Sequence, residues 1–114
     1  MSRDPRLYLE DIEQACKKVQ RFVAGLDQAS FVADERTHDA VLRNLEVLGE
    51  AAKRVPPEIR AQMPEVPWRA IAGFRDFLAH AYFSLDDDIV WGAIQDEVPR
   101  LHEVVSAYLR SLDG

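Results

Sequence analysis

The apolar residues of this chain recur at alternating steps of three and four, which is the spacing of one face of an α-helix. Asp4 and Pro5, an N-cap residue and a first-turn proline, precede the first stripe, and Asp34 or Thr37 can cap the second helix. The two stripes consist of Tyr8, Ile12, Ala15, Val19, Phe22 and Leu26, and of Val41, Leu45, Leu48, Ala52 and Val55. No segment alternates with a period of two for long enough to predict a strand.

Prolines divide the remainder of the chain. Pro56 and Pro57 end the second helix, and residues 58–63 predict one or two helical turns in the linker that follows. A third helix is expected to begin near Trp68, and a fourth after residues 84–86, which offer N-cap side chains. Pro99 is expected to kink this last helix or split it in two.

We therefore expect an all-α fold, an antiparallel helical bundle of four main helices plus a short connecting helix. The 114 residues suffice for one compact core, so we expect a single domain over residues 1–114.

The charge balance opposes diffuse nucleic-acid binding. The chain has 14 basic and 20 acidic residues, a formal net charge of −6. However, 11 of the 14 cations are Arg, whose planar guanidinium suits bidentate phosphate contacts, so a local basic cleft is compatible with the composition.

The sequence also lacks the usual signals for disulfide or zinc cross-links, for export and for membrane insertion. Cys16 is the only cysteine, so we expect no internal disulfide and no cysteine zinc site. No apolar run approaches the roughly 20 residues that span a bilayer, and the first residues do not lead into a signal-type segment. We expect a cytoplasmic protein.

One helix carries a combination of side chains suited to phosphodiester chemistry. Arg75, Asp76, His80 and Tyr82 follow one another in the pattern R-x-x-x-x-H-x-Y. Arg can neutralise charge that develops on phosphorus, His can transfer a proton near neutral pH, and Tyr can donate a hydrogen bond. Asp76 precedes His80 by four residues, so its carboxylate can orient the imidazole.

Helical geometry restricts how these groups meet. Arg75 and Tyr82 lie two turns apart on one stripe, whereas Arg75 and His80 are about 140° apart around an ideal helix. They converge if the Arg side chain wraps, if the helix ends near His80, or if a second subunit completes the site, and we favour the second subunit. The alternative without chemistry is that Arg75 and Asp76 are solvated surface charges, His80 a helix-end residue and Tyr82 a half-buried core aromatic.

The chain resembles the HepT-like toxin family of the HEPN superfamily along nearly its whole length. The R-x-x-x-x-H-x-Y signature of that family falls on Arg75, His80 and Tyr82, and Asp76 occupies a position that is often Asn in the family. Further similarity lies in residues 8–12 (YLEDI), 39–46 (DAVLRNLE), 49–51 (GEA), 66–69 (VPWR) and 75–91.

The resemblance implies a metal-independent endoribonuclease that needs no cofactor and acts as a homodimeric toxin on an RNA substrate. It also implies a partner, a minimal nucleotidyltransferase antitoxin that modifies Tyr82 with AMP. Arg75 and His80 would be catalytic, and Tyr82 would be a cleft donor and the AMPylation target. The alternative within the same fold is a non-catalytic dimer that binds a nucleotide or a partner protein.

Several polar and aromatic residues have more than one interpretation. Three polar residues, Arg43, Asn44 and Glu50, lie within a helix that is otherwise strongly apolar. These three side chains either support the cleft through a buried network or form the solvent face of the helix. His38 and His102 are interpreted as exposed helix residues. Trp68 and Trp91 are predicted to be core or interface anchors rather than base-stacking platforms, and residues 86–88 to be capping acids rather than a metal site, because consecutive helical positions diverge.

Overall fold

The computed structural model describes residues 3–80 and 86–114, and for residues 79 and 80 it describes the backbone alone. Within these ranges the chain is helical and contains no strand. The helices are α1 (Pro5–Val23), α2 (Gln28–Ala33), α3 (Glu35–Arg54), α4 (Pro57–Arg60), α5 (Trp68–His80), α6 (Asp87–Gly92) and α7 (Val98–Leu112), with a π-helical turn (Ala93–Glu97) between α6 and α7.

The expected helical bundle is confirmed. Its four long elements are α1, α3, α5 and the continuous stretch from α6 to α7, and α4 is the short connecting helix. The helix α1 packs against α3 and α7, and α3 also packs against α5. Because α3 lies between α1 and α5, its two sides face different helices. The extent of the domain, residues 1–114, stays a prediction.

The apolar stripes form the core as their spacing predicts. All five residues of the second stripe are buried, and from the first stripe Ile12, Ala15 and Val19 are buried while the others pack against the edge of the core. Burial of a side chain of this size stabilises the fold by about 1.5–3 kcal/mol, so these stripes determine how the helices pair.

Side chains cap the helices at the predicted positions. Asp4 accepts a hydrogen bond from the backbone N–H of Arg6. Asp34, rather than Thr37, caps α3 by accepting from the N–H of Thr37 at 3.1 Å. Asp86 accepts from two N–H groups at the start of α6, so the acidic run begins with a cap. These contacts satisfy donors that would otherwise lack partners.

The segment between α1 and α3 differs from the prediction. The predicted bundle has no helix at this place, but residues 28–33 form α2, with a capping box between Asp27 and Ser30. Phe31 is completely buried and its ring packs on those of His38 and Trp91, at centroid distances of 5.1 and 5.4 Å. Six residues are too few to show a helical period in the sequence. The burial of Phe31 holds this short helix against the rest of the fold.

Pro99 does not split the last helix. Proline lacks the N–H that would bond to the carbonyl four residues earlier, and the chain adapts in the preceding turn. There the N–H of Val98 bonds to the carbonyl of Ala93, five residues back, which makes a π-helical turn. Helical structure therefore continues from Asp87 to Leu112.

The two histidines outside the motif are less exposed than we expected. The His38 side chain is only 19% exposed, with Nε2 3.4 Å from Asp87 Oδ1. His102 is half-buried, with Nδ1 2.7 Å from Gln20 Oε1. The prediction was wrong because both rings pack against a neighbouring helix that the sequence does not place beside them. Trp68 is confirmed as a core residue, and its indole N–H donates to the carbonyl of Met63.

Candidate functional site

The candidate site forms beside Gly49, where the backbones of α3 and α5 approach closely. A Cβ atom at this position would lie 3.0 Å from the backbone nitrogen of Arg75 and 3.1 Å from the carbonyl oxygen of Ile71. Such distances are shorter than ordinary van der Waals contacts, so a Cβ atom at this position would push α3 and α5 apart by a few tenths of an ångström. Glu50 follows directly on α3, and the close approach brings it beside Arg75.

Glu50 links two arginines from different helices. Its Oε2 atom lies 2.9 Å from Arg75 Nε, and its Oε1 atom accepts from Arg54 at 3.1 Å. Oε2 is shielded from solvent, and among the described residues no hydrogen bond of regular geometry reaches it, so Arg75 is its counter-ion. The Arg75 side chain itself is 47% exposed. One carboxylate shared by two guanidinium groups leaves an excess of positive charge at this point.

Glu50, Arg54 and Arg75, which we call the Glu50 cluster, line one part of a polar cleft of about 440 Å³. We call it the arginine cleft, because four arginines contribute to it, one from the segment before α1, two from α3 and one from α5. Four arginines face three carboxylates there, so the cleft has one positive charge in excess although the whole chain has a net charge of −6. Its lining consists of Arg3, Tyr8, Asp11, Arg43, Glu46, Val47, Glu50, Ala51, Arg54 and Arg75.

The N-terminal wall of the arginine cleft is held by a second ion pair. Arg3 donates to Asp11 at 2.9 Å, and its guanidinium lies 4.7 Å from the ring centroid of Tyr8. The Asp11 carboxylate raises the pKa of Arg3 above its already high value, so this cation stays charged at any physiological pH.

Arg43 differs from the other three arginines. It lines the cleft on the exposed side of α3, and among the residues that the structure describes it has neither an ion-pair partner nor a hydrogen bond from its side chain. Glu46 is also exposed there and is likewise without a partner in the described part of the chain.

The structure brings together only part of the predicted set. Arg75 and Glu50 are paired as described. Asn44 donates instead to the carbonyl of Ala40 within its own helix at 2.8 Å, so this contact is not part of the Glu50 cluster. Asp76 is exposed on α5. The side chain of His80 and all of Tyr82 lie outside the described residues.

Sequence analysis did not assign Arg3, Tyr8 or Arg54 to the site. A signal for part of the wall exists, because Arg43, Glu50 and Arg54 are separated by seven and four residues and so share one stripe of α3. No sequence signal indicates Arg3 and Tyr8, because only the packing of α1 on α3 brings them to this cleft.

The described residues contain no cluster of three or more His, Cys, Asp or Glu side chains that could hold a metal ion. Within the same ranges, no helix has the length and apolar character needed to cross a bilayer.

Comparison with known proteins identifies relatives along almost the whole chain. Residues 12–108 match the family model described as "Ribonuclease HepT-like". A protein of Thermococcus cleftensis named "Probable ribonuclease HepT" is 39% identical over 101 residues, 89% of this chain and 92% of the relative. A protein of Caldanaerobacter subterraneus named a "Putative RNase" is 41% identical over 108 residues, 95% of this chain and 96% of the relative.

A third relative, from Methanocaldococcus jannaschii and also named a "Putative RNase", is 33% identical over 98% of this chain and 93% of its own length. No solved structure matches the chain. The family model covers well over half of the residues, and the matched range contains Gly49, Glu50, Arg75 and His80. The chain therefore belongs to the ribonuclease HepT-like family.

Proposed function

We propose that this protein is a metal-independent endoribonuclease toxin that cuts RNA in the cytoplasm as a homodimer. We further propose that a minimal nucleotidyltransferase antitoxin neutralises it by transferring AMP to Tyr82. The observation that carries the proposal is the position of Arg75, whose guanidinium reaches a polar, arginine-lined cleft in a chain of the ribonuclease HepT-like family.

In the proposed reaction a base removes the proton of a ribose 2′-hydroxyl, and the oxygen attacks the adjacent phosphorus. The bond from phosphorus to the 5′-oxygen breaks, and that oxygen takes up a proton. His80 would transfer one of these protons, and Arg75 would neutralise the charge that develops on the phosphoryl oxygens. The products are a 2′,3′-cyclic phosphate and a 5′-hydroxyl, so atoms and charge balance without an added cofactor.

The contact between Glu50 and Arg75 supports a positioning role for Glu50. A long Arg side chain that is half exposed would otherwise sample many rotamers, and holding it in one place lowers the entropy cost of meeting a phosphate. Glu50 fixes the Nε edge of the guanidinium at 2.9 Å. Asp76, four residues before His80 on the exposed side of α5, would orient the imidazole.

The course of α5 is compatible with a dimeric site. The backbone is helical from Arg75 through His80, so the ideal separation of about 140° between these positions applies along the segment. An end of the helix near His80 stays an alternative, because α5 spans Trp68–His80. A second copy of the chain could place its His80 opposite Arg75 across a twofold axis.

RNA cleavage by purified protein tests the proposal. We expect wild type to cut single-stranded RNA in excess EDTA, His80→Ala to lose roughly 10²- to 10⁴-fold in rate, and Arg75→Ala to lose on the order of 10²-fold or more. Arg100→Ala, an exposed arginine on α7 outside the cleft, is the matched control and should keep full activity. Glu50→Gln should retain the fold but lower the rate.

Equal cleavage by wild type and by His80→Ala would remove the catalytic proposal, and loss of cleavage in EDTA would remove metal independence. Binding of RNA without cleavage by any form would favour the non-catalytic binding dimer. Light scattering of wild type tests the dimer directly, and a monomer at assay concentration would contradict it.

Mass spectrometry tests the modification. The Tyr82 oxygen would attack the α-phosphorus of ATP, the phenol would lose its proton, and pyrophosphate would leave. Co-expression with a minimal nucleotidyltransferase encoded beside this protein should add one or more AMP groups to the peptide that contains Tyr82. Neutralisation of Tyr82→Phe to the same extent would show that the partner inhibits by occlusion.

A further inference from the structure

We infer that the arginine cleft is a second phosphate subsite, which binds the RNA strand next to the phosphate that is cut, with Arg43 as its main anion-binding side chain. The inference rests on the proposed function, because it extends the path of the same substrate. It assigns a role to residues of α1 and α3 that lie outside the R-x-x-x-x-H-x-Y motif.

The first observation is the state of Arg43. The other three arginines of the cleft each have a carboxylate partner, Asp11 for Arg3 and Glu50 for Arg54 and Arg75. Arg43 has none among the described residues, although Glu46 also borders the cleft. A guanidinium with five free donors at the wall of a cleft is suited to bidentate contact with a phosphate.

The second observation is the spacing along α3. Arg43 precedes Glu50 by seven residues on the same stripe, which corresponds to roughly 10 Å along the helix axis. Because Glu50 contacts Arg75, Arg43 and the proposed catalytic arginine lie along one continuous wall rather than on opposite faces. A strand whose scissile phosphate lies at Arg75 can therefore present a neighbouring phosphate to Arg43.

The third observation is the character of the cleft. The ion pairs of Arg3 with Asp11 and of Arg54 with Glu50 are between 37% and 59% exposed, and exposed pairs of this kind contribute only about 0–1 kcal/mol each, so both arginines can turn toward an incoming phosphate at little cost. Tyr8 lines the same cleft with the Arg3 guanidinium 4.7 Å from its ring centroid, and this Arg–Tyr pair offers planar groups on which a base of a single strand can stack. A folded duplex would not present its bases to this ring, so single-stranded RNA is the expected ligand.

Fluorescence anisotropy with a fully 2′-O-methylated single-stranded oligonucleotide tests the subsite, because this probe lacks the nucleophile and cannot be cut. Arg43→Gln should weaken binding roughly tenfold at low salt and reduce the slope of log K against log salt by about 0.7. Arg100→Gln should change neither quantity. Tyr8→Leu, which keeps apolar bulk, should weaken binding while leaving the salt slope unchanged.

Equal affinities and slopes for Arg43→Gln and Arg100→Gln would overturn the inference, even if wild type cleaves RNA. Displacement of the probe by polyglutamate at equal charge concentration would also overturn it, since the cleft would then be an acidic-protein site. A lowered slope for Arg43→Gln in a protein that proves not to cleave RNA would support the subsite and contradict the proposed catalysis. The two failures are therefore distinguishable.

Discussion

Replacement of Gly49 by alanine tests how α3 and α5 hold the candidate site. The new Cβ atom would lie 3.0 Å from the backbone nitrogen of Arg75, 3.1 Å from the carbonyl oxygen of Ile71 and 3.4 Å from Phe74 Cβ. The two closest atoms belong to the backbone of a helix and cannot rotate away as the end of a side chain can. The helices must separate by a few tenths of an ångström, which shifts Arg75 relative to Glu50.

Two opposing terms determine the size of the effect. Alanine is more favourable than glycine inside a helix by about 0.5–1 kcal/mol. Overpacking of a close contact costs about 1–3 kcal/mol. We therefore expect Gly49→Ala to lower the free energy of unfolding by roughly 1 kcal/mol, which corresponds to about 4 °C in Tm for a chain of this size.

Gly92 offers a matched control. It is also helical, but a Cβ atom there would meet nothing within 4 Å. Gly92→Ala gains the helix-propensity term without the packing cost and should raise the free energy of unfolding by about 0.5–1 kcal/mol. Both variants are compared with wild type by thermal and urea unfolding, followed by far-ultraviolet circular dichroism at one protein concentration, since self-association would make Tm depend on concentration.

Activity provides the second measurement. A displacement of the helix that carries Arg75 should lower RNA cleavage by Gly49→Ala at least tenfold under conditions where the variant is folded, because catalysis is sensitive to small misplacements. Gly92→Ala should keep wild-type activity. If Gly49→Ala were as stable and as active as Gly92→Ala, the argument that this glycine sets the separation of α3 and α5 would be refuted.

Two further predictions concern the core. Phe31→Ala should lower the free energy of unfolding by about 3–5 kcal/mol, because the ring is fully buried. Replacement of its exposed neighbour, Val32→Ala, should change the free energy of unfolding by less than about 0.5 kcal/mol. Urea titration of both variants checks this. Burial raises the pKa of the Cys16 thiol to about 12, so a thiol reagent at pH 8 should react only after unfolding. The thiol of the unfolded chain ionises near its ordinary pKa of 9.0, whereas the buried thiol stays neutral up to about pH 12. The free energy of unfolding should therefore be unaffected by Cys16 below pH 9 and fall as the pH rises from 9 toward 12. Cys16→Ala should not show this fall.

The motif illustrates what local sequence can and cannot reveal. Arg75 and His80 could be identified from the sequence, because their residue types and spacing form a motif within a few residues of the chain. Their angular separation also follows from the sequence, once the segment is taken as a helix, and the backbone of α5 is helical over this span. The groups that surround Arg75 belong to other helices, so no local pattern identifies them.

The amino-acid order by itself determined the all-helical class, the four main helices, the cap at Asp4 and the buried stripes, and it limited the other caps to Asp34 or Thr37 and to residues 84–86. These properties depend on contacts within a few residues, where the period of 3.6 and the capping rules act directly. Only the tertiary structure decided that Gly49 sets the distance between α3 and α5, that Glu50 joins Arg54 to Arg75, and that α1 contributes a wall of the arginine cleft. Each of these depends on which helices become neighbours, and that choice is made by the packing of the whole core.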